Sequence, residues 1–172
     1  MKELYILRHA KSSWDDPDLA DFDRPLNERG FNTAAFMGEV IARKQFRPDA
    51  ILSSPAKRAV QTALRVKEAA GINIDVRYDE RIYEASPQAL RQIVSETDEK
   101  KRSIMIVGHN PGAESFIKYL TGRVEPMPTA AIAAITLNID NWSDLSADCG
   151  SLQEIIRPKE EMKTGTKASR QQ

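Results

Sequence analysis

Only two histidines occur among the 172 residues, and both stand where phosphate chemistry is possible. His9 follows Arg8 directly behind a short apolar run, Leu4–Leu7, and His109 follows Gly108 behind another, Ile104–Val107. A third run, Ala50-Ile51-Leu52, leads into Ser53-Ser54-Pro55, with Arg58 close behind. Arginine forks bind phosphate oxygens bidentately and stay charged. A neutral imidazole attacks phosphorus directly and divides hydrolysis into two displacements through a phospho-histidine. Cationic donors neutralise the equatorial oxygens of the transition state, and a carboxylic acid protonates a poor leaving group. Ser12 or Ser13 can add a hydroxyl donor. A helix opening at Asn110-Pro111 would offer free N–H groups and a positive dipole end to the same anion.

These side chains meet only if the elements behind them bring them to one edge. Apolar and small residues at 31, 34, 35, 38, 41 and 42 mark one face of a helix, with Asn27 as its N-cap. Ser54 reads as an N-cap and Pro55 as the first residue of a second helix, periodic through Ala70 and stopped by Gly71. Ile74–Arg77 is a weaker strand, and a helix through Leu90, Ile93 and Val94 begins near Ser86-Pro87. A further helix follows Pro111 through Ala113, Phe116, Ile117 and Leu120, and strands lie around Ile132–Ile139 and Leu152–Ile156. The alternation predicts an α/β three-layer sandwich, a mainly parallel central sheet with helices on both faces. Ligands of such sheets bind beyond the strands' carboxyl ends, where both histidines and both arginines fall. Residues 1–157 read as a single domain. Residues 158–172 have no apolar period and read as a mobile tail.

Composition removes several alternatives. Lys and Arg number 25 against 25 Asp and Glu, and a zero net charge argues against binding nucleic acid through a broad basic field. The single Cys149 excludes an intramolecular disulfide and a cysteine-based zinc cluster. No apolar stretch approaches the ~20 residues of a spanning helix, and charge interrupts the N-terminus too early for a signal peptide. These features predict a cytoplasmic protein without membrane contact. Neither a Walker-type loop nor a dinucleotide fingerprint occurs, and no cofactor or metal is expected. Asp15, Asp16, Asp18, Asp21 and Asp23 crowd one segment but lack the EF-hand's glycine and closing glutamate, so a solvated loop is expected. Trp14 reads as packing with a partly exposed edge, and Cys149 as an incidental thiol.

Leu7-Arg8-His9-Ala10-Lys11-Ser12 resembles the first signature of the histidine phosphatase superfamily, the phosphoglycerate mutase-like fold. Ser53-Ser54-Pro55-Ala56-Lys57-Arg58-Ala59-Val60-Gln61-Thr62-Ala63 resembles the second, and Val107-Gly108-His109-Asn110 the third. The segment Asp23–Gly30 and the short chain are most similar to SixA-type phosphohistidine phosphatases. The resemblance implies His9 as the phosphorylated nucleophile, with Arg8, Arg58 and His109 around the phosphate; Ser12 by its hydroxyl and Asn110 at the helix opening are expected as further substrate-binding residues. Tyr78-Asp79-Glu80 resembles the motif that supplies the acid, which makes Glu80 the expected proton donor and Glu84 its competitor. The implied partner is a phosphorylated protein carrying a histidine-containing phosphotransfer domain. A small phosphorylated molecule, or phosphate-dependent binding without turnover, is the alternative.

Overall fold

The computed structural model describes residues 1–170, with side chains through residue 164. Six strands form one sheet: β1 (Lys2–Arg8), β2 (Ala50–Ser53), β3 (Val76–Tyr78), β4 (Ser103–Gly108), β5 (Ile132–Leu137) and β6 (Gly150–Ile156). The helices are α1 (Glu28–Arg43), α2 (Lys57–Ala70), α3 (Pro87–Ser95), α4 (Gly112–Thr121) and α5 (Pro158–Arg170). The strand order is β3-β2-β4-β1-β5-β6. The pairings β3–β2, β2–β4 and β4–β1 are parallel, and β1–β5 and β5–β6 are antiparallel.

The expected layers are present because the central strands are apolar on both sides. Leu4, Ile6, Ile104 and Ile106 face one core with Leu90 and Ile93 of α3 and Phe116 and Ile117 of α4. The alternate residues Tyr5, Leu7, Met105 and Val107 face a second core with Met37 and Ile41 of α1 and Val66 of α2. Successive strand side chains point to opposite faces, so a strand covered twice reads as an unbroken apolar run. Each large side chain so buried contributes about 1.5–3 kcal/mol, which makes the sheet a stiff platform for whatever lies at its edge. Helices α1 and α2 approach closely where Gly38 lies, since a Cβ there would stand 2.6 Å from the Cβ of Ala69.

Several local readings need correction. Helix α2 begins at Lys57 with Ala56 as its cap, two residues later than Ser54-Pro55 suggested. The Ser54 hydroxyl instead accepts from the Ala56 N–H at 3.2 Å and meets His109 Nε2 at 2.8 Å. Helix α4 begins at Gly112 with Pro111 at the cap, because the Asn110 side chain is engaged elsewhere. Residues 158–170, expected as a tail, form α5, with the signals being Pro158 at its start and Glu160 and Glu161 in the first turn. The last two residues of that tail reading lie outside the described residues. Asn27 and Ser86 do cap α1 and α3, accepting from Gly30 N and Ala89 N. No helix among the described residues is long and apolar enough to cross a membrane.

The first turn of α1 grips the segment just behind His9. Asn27 N–H donates to the Lys11 carbonyl at 3.0 Å, and that same oxygen would lie 2.1 Å from a Cβ on Gly30. Backbone cannot yield there as a flexible side chain would. Gly30→Ala is therefore expected to cost at least about 1–3 kcal/mol of stability, the range for overpacking. Urea denaturation checks this, and an unchanged midpoint would show that the contact is not tight.

Candidate active site

Strand β4 lies between β1 and β2, so the chain ends of all three open side by side. Hydrogen bonding continues past the strands: His9 N–H donates to Gly108 O, and Ser54 N–H donates to Val107 O, each at 3.0 Å. Ala130 N–H closes the other side of the turn, donating to Arg8 O at 3.1 Å and His9 O at 3.0 Å. Helix α2 adds a clamp. Thr62 Oγ1 accepts from Ala10 N–H at 2.9 Å while donating to Arg58 O at 2.7 Å. The imidazoles of His9 and His109 are thereby set with ring centroids 5.1 Å apart.

One hydrogen bond fixes the chemistry of His9. Its Nδ1 lies 2.7 Å from the Ala10 carbonyl oxygen. A carbonyl can only accept, so Nδ1 carries the proton and Nε2 keeps its lone pair. Burial, with the charges of Arg58, Arg8 and Arg24, lowers the His9 pKa to about 4 against the opposing Ala10 bond. His109 is lowered to about 3, first by burial and then by His9 and Arg58. Both rings are therefore neutral at pH 7, because the site disfavours additional positive charge.

The two expected arginines converge on these rings by different routes. Arg8 Nη1 donates to the Met127 carbonyl at 3.0 Å. Asn110 Nδ2 donates to that carbonyl at 2.9 Å and to Glu114 Oε1 at 3.0 Å, while Met127 N–H donates to the same carboxylate. Asn110 thus orients the loop that holds Arg8 and does not cap the following helix. Burial and Arg58 lower the Arg8 pKa, with Glu114 opposing, yet an arginine remains charged at neutral pH. Arg58 is 6% exposed and is held by Asp21, through Nη1 to the main-chain oxygen at 2.7 Å and Nη2 to Oδ2 at 3.0 Å.

Sequence reasoning missed three members of this group: Arg24, Asp21 and Tyr83. Arg24 is 8% exposed, lies 3.5 Å from the centroid of the Trp14 ring and donates from Nη2 to Asp21 Oδ1 at 3.2 Å. Tyr83 donates its hydroxyl to Asp21 Oδ2 at 2.6 Å and stands edge-on to His109, centroids 5.5 Å apart. Asp21, in the acidic segment expected to be a solvated loop, is pulled down to about 2, first by the Tyr83 hydroxyl and then by Arg58 and Arg24. The available signal was an arginine closing an otherwise acidic segment. Trp14 is 75% exposed, far more than the packing role expected. The loop carrying these residues is pinned at its base by Ser13 N–H to Pro25 O at 2.8 Å and the bridge between Ser12 and Leu26.

The other expected site residues lie as follows. Ser12 is buried within that bridge, and its hydroxyl makes no hydrogen bond among the described residues. Glu80 opens a 3-10 turn after β3 and is exposed, and Glu84 is exposed with a left-handed φ of 55°. Neither carboxylate has a side-chain hydrogen bond or ion pair among the described residues. Cys149 is free and half-buried against the core. A cleft of about 1000 Å³, bordered by Lys11, Asn27, Pro128 and Arg157, runs beside the histidine pocket, and neither histidine lines it.

Buried guanidinium Nε groups of Arg8, Arg24 and Arg58, and Nδ1 of His109, have no hydrogen-bond partner among the described residues. Three unpartnered guanidinium donors gathered about two imidazoles suit an anion, since leaving a buried donor unmade costs about 1–3 kcal/mol.

Comparison with known proteins agrees with this geometry. The model of the histidine phosphatase superfamily (branch 1) matches residues 4–104. The uncharacterized protein Rv1276c of Mycobacterium tuberculosis is 31% identical over 164 residues, which span 89% of this chain and 100% of the relative. A crystal structure from Agrobacterium tumefaciens, provisionally assigned as the phosphohistidine phosphatase SixA, is 31% identical with a TM-score of 0.76, covering 91% of this chain and 98% of that one. The protein histidine phosphatase SixA complexed with tungstate shares the fold, with a TM-score of 0.79 at 22% identity and coverage of 92% and 99%. With its phosphoglycerate mutase-like sandwich and its paired histidines at the strand ends, the chain belongs to the histidine phosphatase superfamily.

Proposed function

We propose that this phosphatase removes phosphate from phosphohistidine on a signalling protein through a phospho-His9 intermediate. The observation that carries the reading is the Nδ1–H contact to Ala10 O, which leaves a neutral Nε2 lone pair beside Arg8, Arg58 and His109. In the first step Nε2 forms a bond to phosphorus as the phosphorus–nitrogen bond of the substrate breaks; the substrate ring, already protonated on its other nitrogen, leaves as a neutral imidazole and needs no donor. Arg8, Arg58 and Arg24 spread the charge on the non-bridging oxygens, and a His109 ring nitrogen donates or accepts a hydrogen bond among them. Water then attacks phospho-His9, releasing inorganic phosphate and restoring the Nε2 lone pair. Ser12 and Asn110 complete the site, Asn110 by holding the Met127 carbonyl that anchors Arg8. No metal or cofactor takes part in this scheme. The 31% identity with the Agrobacterium tumefaciens structure supports the phosphohistidine substrate. A histidine-containing phosphotransfer domain is the intended partner, and the cytoplasm the intended location.

The direct test is incubation with a phosphorylated histidine-containing phosphotransfer domain, following loss of phosphate and trapping the phospho-enzyme. Wild type should turn over in the presence of chelator, and His9→Ala should lose at least about 100-fold in rate, as expected when a covalent nucleophile is removed. Strong turnover of small monoesters with none on phosphohistidine would move the substrate to the small-molecule class.

The lowered His9 pKa sets the pH profile. A histidine depressed to about 4 stays neutral, and nucleophilic, at every pH above that value. The acid limb of kcat/KM for the free enzyme should therefore fall near pH 4 rather than near the ordinary imidazole value of about 6.5. Rate profiles corrected for the substrate's own ionisation measure this, and a limb at pH 6 or above would contradict it.

Glu80, at the carboxyl end of β3, is proposed as the proton donor for basic leaving groups. An ester oxygen needs that proton far more than an imidazole does. Glu80→Gln should then slow monoester hydrolysis about tenfold or more while phosphohistidine hydrolysis changes by less than about threefold. Equal effects on both substrates would remove Glu80 from the mechanism.

A further inference from the structure

Asp21 is used in no step above, yet it holds the most basic part of the pocket. Its main-chain oxygen and Oδ2 accept from both terminal nitrogens of Arg58, at 2.7 and 3.0 Å. Its Oδ1 accepts from Arg24 Nη2 at 3.2 Å, and Oδ2 also accepts the Tyr83 hydroxyl at 2.6 Å. The two guanidinium groups are at least nine-tenths buried, with side-chain exposures of 7% for Arg58 and 10% for Arg24, whereas the Asp21 side chain is 52% exposed. A carboxylate that lies partly in solvent therefore occupies a fork built for a tetrahedral anion. The Asp21 carboxylate projects from a short 3-10 turn, Asp21–Asp23, and its hydrogen-bond partners are the two arginines and Tyr83.

We infer that Asp21 is an internal competitor for the phosphate pocket, a residue that sets its affinity for phosphate and is displaced from the Arg58–Arg24 fork when substrate phosphate enters. Two anions on one pair of guanidinium groups repel each other, and a dianion outbids a monoanion only by a margin that the carboxylate has reduced. The functional consequence concerns product. Inorganic phosphate brings no contact beyond its four oxygens, so the returning carboxylate expels it more readily than it expels a substrate held by further contacts. Asp21 thereby weakens substrate and free phosphate by the same factor, which keeps product binding weak while the substrate's further contacts restore its own affinity.

This inference rests on the pocket's being a phosphate site, and anion binding tests it without any turnover. Inorganic phosphate and orthovanadate are titrated calorimetrically into wild type, Asp21→Asn and Tyr83→Phe. Asp21→Asn keeps a side chain of the same shape and should bind phosphate about tenfold more tightly, equivalent to about 1.4 kcal/mol. Product inhibition by phosphate should strengthen in parallel. Tyr83→Phe removes one hydrogen bond that holds the carboxylate in place and should tighten binding about twofold. The smaller change at Tyr83 keeps the inference falsifiable should Asp21→Asn fail to fold. Binding to wild type with no gain, or with a loss, in the variants overturns the inference and makes Asp21 a brace for Arg58. A fall in kcat with anion affinity unchanged overturns it too and assigns Asp21 to proton transfer. Absence of anion binding in wild type and variants alike overturns the phosphate-pocket reading itself, and the inference with it.

Discussion

The concentration of positive charge around two imidazoles is the constraint to which the rest of the site answers. Arg8, Arg24 and Arg58 crowd the environment of His9, and burial of that ring makes any further charge expensive. Each arginine has its own compensation. Arg8 has the Met127 carbonyl with Glu114 behind it, Arg58 has both oxygens offered by Asp21, and Arg24 has the Asp21 carboxylate and the face of Trp14. The imidazoles respond by staying neutral. That neutrality is what a nucleophilic nitrogen requires, so the arginines that crowd the pocket also keep the ring in the state that the proposed attack needs. A chain balanced at 25 charges of each sign thus carries a sharply cationic point.

The sheet makes this concentration affordable by holding its members still. Insertion of β4 between β1 and β2 places His9, Ser54 and His109 on adjacent strand ends, and main-chain hydrogen bonds run past the strands into the turns. Two buried cores, one on each face, resist any shift of the strands that would separate the rings. The helices contribute through short contacts: Thr62 on the Ala10 amide, and the first turn of α1 on the Lys11 carbonyl. Such rigidity suits phosphoryl transfer, where positioning and electrostatics supply nearly all of the acceleration.

The loop between His9 and α1 has a different character. Its base is pinned, but it exposes Trp14 and half of the Asp21 side chain. Exposed loops on a rigid frame are where specificity is commonly carried. Here the loop reaches back into the pocket through ionic and aromatic contacts, including Phe22 edge-on to Tyr83.

The layers and strand ends were legible in the sequence, as was the gathering of Arg8, His9, Arg58 and His109 at one edge, since those depend on local signals: apolar runs, helix periodicity, caps at Asn27 and Ser86, and arginine or histidine placed just after a strand. The sequence also bounded the chemistry, because two histidines and one cysteine leave few alternatives. Tertiary structure alone decided what lies across the pocket. Arg24, Asp21 and Tyr83 come from two segments with no periodic pattern, and Asp21 meets its partners 37 and 62 residues away. Hydrogen-bond competition also overrode local preference, drawing Ser54 to His109 and Asn110 to Met127, away from the helix starts their types favour. The same is true of the His9 tautomer, set by a 2.7 Å approach to the Ala10 carbonyl. Residue type states what a side chain can do, but only the packed chain decides which partner it meets.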